Sequence, residues 1–118
     1  MVVTWSGAQN VGVAGAVSFT GVNQSTPYGT HVTGSSDNGA PTVTVGSVGS
    51  GDIVVDTTMV LGASITVGTN QTSRVEFDNL GGNNESSGIS TQLGSDGGVM
   101  SWTSPGSFWV IGAVNIKA

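Results

Sequence analysis

Twenty glycines are spread through a chain of 118 residues, and they interrupt its candidate helices. Each glycine in a helix interior costs about 1 kcal/mol relative to alanine. The apolar residues also lack the 3.6-residue period of an amphipathic helix; they alternate instead. Helix is therefore nearly excluded. Short alternating runs bounded by Gly, Ser, Asn and Asp recur about every 8 to 12 residues, the spacing of a sandwich or barrel.

The clearest run is Phe108 to Lys117. Val110, Gly112, Val114 and Ile116 fall on one face, and Trp109, Ile111, Ala113, Asn115 and Lys117 on the other, because successive side chains of a strand point to opposite sides. Both faces begin apolar, as in a central strand. Ala14 to Val22 shares its Gly-Ala-Val, so Val11 to Thr20 is expected to be a second long central strand beside it.

The remaining expected strands are Val2–Trp5, Thr30–Thr33, Thr42–Val45, Ile53–Leu61, Ser64–Val67, Ser73–Phe77, Ile89–Leu93 and Val99–Thr103. Val43, Val45, Val75 and Phe77 should face inward, with Arg74, Glu76 and Asp78 outward. Ile89–Leu93 reads as an edge strand. Gly34–Pro41, Gly49–Asp52, Gly68–Gln71, Gly81–Gly88, Ser95–Gly98 and Ser104–Gly106 carry turn chemistry. The expected fold is all-β: an antiparallel two-layer β-sandwich of jelly-roll type, one domain over residues 1–118.

Charged residues make up 8% of the chain, against about 25% in an average domain. The polar surface is Ser, Thr, Asn, Gln and Gly, a composition common in extracellular and virion β proteins. Net charge is −5, and Arg74 and Lys117 are the basic residues. Binding to a phosphate backbone or an anionic membrane needs clustered Lys and Arg, so neither nucleic acid nor membrane insertion is expected. No run approaches the roughly 20 apolar residues of a membrane helix. Cysteine is absent, which removes disulfides and thiolate metal sites. A glycine-rich, cross-link-free sandwich of this size is marginal. Partners are therefore expected to be copies of the chain itself or a neighbouring structural subunit.

Three stretches resemble a family of Gly/Thr-rich β-sandwich domains from uncharacterised secreted bacterial proteins and phage virion proteins. They are Val2-Val-Thr-Trp-Ser-Gly7 with Gly15 to Gly29, Gly51-Asp-Ile-Val-Val-Asp56, and Met100-Ser-Trp-Thr103 with Trp109 to Lys117. The resemblance implies a jelly-roll-like sandwich and brings no catalytic residues. It also implies further strands ahead of Val2. The chain is then a compact member, an excised piece, or a domain whose missing strands come from another subunit.

Reactive groups are few. His31 is the single histidine, and no nucleophile elbow accompanies it. Glu76 and Asp78 are the carboxylates best spaced for acid–base work, but Arg74 shares their expected face. Asp37-Asn38-Gly39, Asp52, Asp78-Asn79 and Asp96 supply oxygens without the spacing of a calcium loop. Asn23, Asn70 and Asn84 match a glycosylation acceptor pattern. No catalytic residue, metal or cofactor is expected. The leading functional expectation is a non-enzymatic structural or assembly module of a surface array, filament or phage particle. Its place would be extracellular, on a cell surface or in a virion. The alternative is a carbohydrate-binding or adhesion module stacking glycans on Tyr28, Trp5 and Trp109.

Overall fold

The computed structural model describes residues 2–7, 12–82, 84–105 and 108–118. Eight strands form among them: β1 (Tyr28–Ser36), β2 (Thr42–Thr44), β3 (Ile53–Val60), β4 (Thr66–Val67), β5 (Gln71–Leu80), β6 (Glu85–Leu93), β7 (Val99–Thr103) and β8 (Trp109–Ile116). One 3-10 turn, Gly94–Asp96, joins β6 to β7. The chain is all-β, as its glycine spacing and alternation require.

Two antiparallel sheets pack together. The larger has the order β1-β8-β3-β6-β5 and the smaller β2-β7-β4. Strands 1 and 8, 2 and 7, and 3 and 6 are paired, the nested pairing of a jelly roll. β5 departs from that scheme. It runs beside β6 in the large sheet, leaving β4 at the edge of the small one.

β8 is central, between β1 and β3, and its alternation is the expected one. Trp109, Ile111, Ala113 and Asn115 are buried between the sheets. Val54 and Val60 of β3, Val45, Ile65, and Met100 and Trp102 of β7 complete the core. Val43 packs against its margin, so Val43 and Val45 face in as expected. Gly88 lies under the Trp102 ring, and any side chain there would strike the indole. Two turns are as read, whereas β1 runs on through Ser36 into the stretch read as a loop, and Gly106 of the Ser104–Gly106 turn lies outside the described residues. Asn70 takes φ 61° in the turn closed by Gln71 N–H to the Gly68 carbonyl at 3.4 Å. Gly97 takes φ 95° after the 3-10 turn.

Four expectations are corrected. Residues 2–5 form no strand. Residues 12–20 join neither sheet, so they are not the neighbour of β8; Val11 lies outside the described residues. β6 begins at Glu85, inside the stretch read as a loop, and is internal, between β3 and β5.

The fourth correction concerns β5. Register shifts fall between Ser73 and Val75 and between Phe77 and Leu80, and a bulge re-aims side chains. Val75 pairs with Ile89 and Phe77 with Ser87, and these partners lie on the side of the large sheet away from the small one. Phe77 is 40% exposed, not inward.

Candidate functional site

The large sheet has two faces of opposite character. Its inner face, under the small sheet, carries a buried polar network missed in the sequence. Asp56 lies in the middle of β3, 2% exposed. Its Oδ1 accepts from the Ser90 backbone N–H at 2.9 Å and the Ser90 hydroxyl at 2.7 Å. Its Oδ2 accepts from Trp102 Nε1–H at 2.8 Å. Gln71 ties the network to β7. It donates from Nε2 to Ser90 Oγ at 2.6 Å and accepts from the Ser101 N–H at 2.7 Å. Burial raises the Asp56 carboxyl above its ordinary range, and the Ser90 and Trp102 donors oppose that rise. Every donor to Asp56 is neutral; Ser90 binds it within the large sheet, and Trp102 and the Gln71–Ser101 contact reach across to the small one, so the network is a structural clamp. Its only signal in the sequence is the polar residue at an inward position of Ile53-Val-Val-Asp-Thr-Thr-Met-Val60.

The other ionisable groups stand apart. Asp52 accepts from Asn115 Nδ2 at 2.8 Å, the Gly49 N–H at 2.9 Å and the Ala118 N–H at 3.2 Å. The Asn115 amide leads in holding its carboxyl below the ordinary range, followed by those two N–H groups. Glu76 accepts from the Ser73 hydroxyl at 3.2 Å, and Asp78 from the Ile65 N–H at 3.1 Å. Arg74 donates to Thr91 Oγ1 at 2.8 Å instead of pairing with either carboxylate. Among the described residues, no three His, Asp or Glu side chains gather as metal ligands. His31 sits exposed on β1 opposite Val114. That is the outer face, whereas the Asp56 carboxylate is on the inner one. Asn23 caps its own turn, accepting from the Ser25 and Thr26 N–H groups, and Asn84 takes φ 52°.

The three expected aromatics separate. Trp109 is 7% exposed and donates Nε1–H to the Asn38 carbonyl at 2.9 Å, so its ring offers no face to a sugar. Tyr28 is 69% exposed and Trp5 52%, the latter lying against Gly12.

The outer face is built in rows by strand register. One row runs Phe77, Ser87, Met59, Val110, Ser35 from β5 to β1. The next runs Val75, Ile89, Thr57, Gly112, Thr33, and the next Thr72, Thr91, Val55, Val114, His31. No carboxylate stands in them. On β6 the inward residues are Ser86, Gly88, Ser90 and Gln92, while Ile89 and Leu93 point outward. On this side of the sheet the apolar residues face away from the partner sheet.

Residues 12–20 cross this face diagonally. Gly15 rests on Ile89 and Val75. Val17 and Phe19 lie over the His31–Val55–Val114 row, edging a groove of about 380 Å³. Asn23 then anchors the segment through its N–H to the Lys117 carbonyl at 3.0 Å. Beyond the groove lies an open hollow of about 630 Å³ between Ser35, Met59, Ser87 and Val110. The two share Thr33, Thr57 and Gly112, so they form one continuous trough. Met59, Phe77 and Val110 are 36–40% exposed.

No family model, curated protein or solved structure matches the chain.

Proposed function

We propose that this protein is a non-enzymatic assembly module: a self-associating β-sandwich that serves as a subunit of a surface array, filament or phage particle. The observation that carries this reading is the inversion on β5 and β6. Val75, Phe77, Ile89 and Leu93 face out while Gln71, Ser90 and Gln92 face in. A row of large apolar side chains left on a sheet face is what a protein contact covers. The chain carries −5 overall, so like-charged copies meet most favourably across rows without a carboxylate.

Light scattering and sedimentation from micromolar to millimolar protein test the reading, with electron microscopy of the concentrated sample. Oligomers or regular fibres are expected. A monomer at every concentration contradicts it.

Exposure of Tyr28 and Trp5 favours glycan stacking as a second reading. Oligosaccharides would then quench Trp5 alone, since Trp102 and Trp109 are buried. Unchanged fluorescence across a glycan panel removes it.

A further inference from the structure

We infer that residues 12–20 are one strand of an intermolecular layer, paired with the same segment of a second copy along the trough beside them. The inference rests on the self-association proposed above and adds its surface and partner.

The segment alternates like a strand. Val13, Val17 and Phe19 are half-buried against the large sheet, while Ala14, Ala16 and Ser18 are exposed. Yet residues 12–20 make no backbone hydrogen bond to another described residue. A strand-patterned backbone whose N–H and C=O groups have no backbone partner among the described residues is a template for another chain. The trough runs along its flank, where a neighbouring strand would lie.

Three facts make the occupant a second copy. First, the face already seats this sequence, so it fits an identical one. Second, residues 12–24 carry no charge, and the acidic residue in the trough's lining, Asp56, turns its carboxylate to the inner face, so two acidic chains meet there with little repulsion. Third, the exposed side of the segment bears only small side chains, so nothing bulky stands between copies. Identical segments pair antiparallel about a two-fold axis, which makes the contact isologous.

The full chain is tested in two ways after wild-type self-association has been measured. Ala16→Pro with Ser18→Pro removes two N–H donors and leaves Val17 and Phe19 in place. Its dimer Kd is expected to rise about tenfold or more, since each lost hydrogen bond is worth about 1 kcal/mol. The chain has no cysteine, so Ala16→Cys gives one thiol. A short bis-maleimide is expected to couple it into a dimer, whereas Ser95→Cys in the exposed 3-10 turn stays uncoupled. An unchanged Kd in a folded double-proline variant overturns the inference, as does absence of the Ala16→Cys dimer. In both cases the assembly reading survives if wild type still associates. A monomeric wild type ends both. Should the double-proline variant not fold, the cross-link alone decides.

Discussion

The two faces of the five-stranded sheet are made by the same strands and end differently. The inner face is partly polar, with Asp56, Ser90 and Gln92 buried, yet a second sheet closes it and the Asp56 donors are satisfied. The outer face is the more apolar along β5 and β6, yet one segment crosses it and leaves Met59, Phe77 and Val110 partly exposed. Alternation hands every strand two faces. It does not decide which face the chain itself will cover. Here the polar clamp fixes the choice, because a buried carboxylate is tolerated only where donors converge on it, and Trp102 and Ser90 converge on the inner side.

The two faces differ most in stability at the clamp. Asp56→Ala strips the acceptor from Trp102 Nε1–H and from both Ser90 donors. At about 1–3 kcal/mol for each stranded group, a loss of roughly 3 kcal/mol or more is expected in denaturant unfolding. Gly88→Ala drives a methyl into the Trp102 ring and should cost about 1–3 kcal/mol, the usual penalty of overpacking. On the outer face, Met59→Ser and Val110→Ser should change monomer stability by only about 0.5 kcal/mol or less, as exposed positions do, while weakening self-association. A large stability loss from the outer pair, with association intact, would erase the distinction between the faces.

The smallest effect is in pH. Asp56 has a folded pKa above its unfolded one, so the folded state binds its proton more tightly. That contribution is full below the ordinary carboxylate range and is lost as pH rises through the raised pKa. Asp52 has the opposite sign. Its lowered pKa gives stability that is present above the ordinary range and lost as pH falls through the folded value. Urea midpoints of wild type and Asp56→Asn, followed from about pH 3 to 7, should show the wild-type advantage shrinking as pH rises. A constant difference means that Asp56 titrates as it would in water.

Much of the fold was legible. The alternation of Trp109 to Asn115 placed β8 at the centre, and Thr42–Val45 placed two valines inward. Gly68–Gln71 and Ser95–Gly98 announced their turns. What failed did so for one reason: local alternation carries no information about partners. Val11 to Thr20 read as a central strand because the pattern is that of a strand, but no ladder receives residues 12–20. Val75, Phe77 and Ile89 are apolar, and the register shifts of β5 together with the Asp56 clamp turn them outward. Trp109 looked available for stacking, but its position on β8 buries it. The outer trough was not legible at all, since it is assembled from four strands distant in sequence.

The most direct test uses two methionines, one on the outer face and one in the core between the sheets. Met59 lies on the outer row and Met100 in the core at 0% exposure. Peroxide oxidises accessible methionine to the sulfoxide. Oxidation of both sites is measured by mass spectrometry from dilute to concentrated protein. The account predicts that Met59 oxidises readily when dilute and becomes protected as concentration rises, while Met100 stays protected throughout. Met59 oxidising at one rate at every concentration would contradict it.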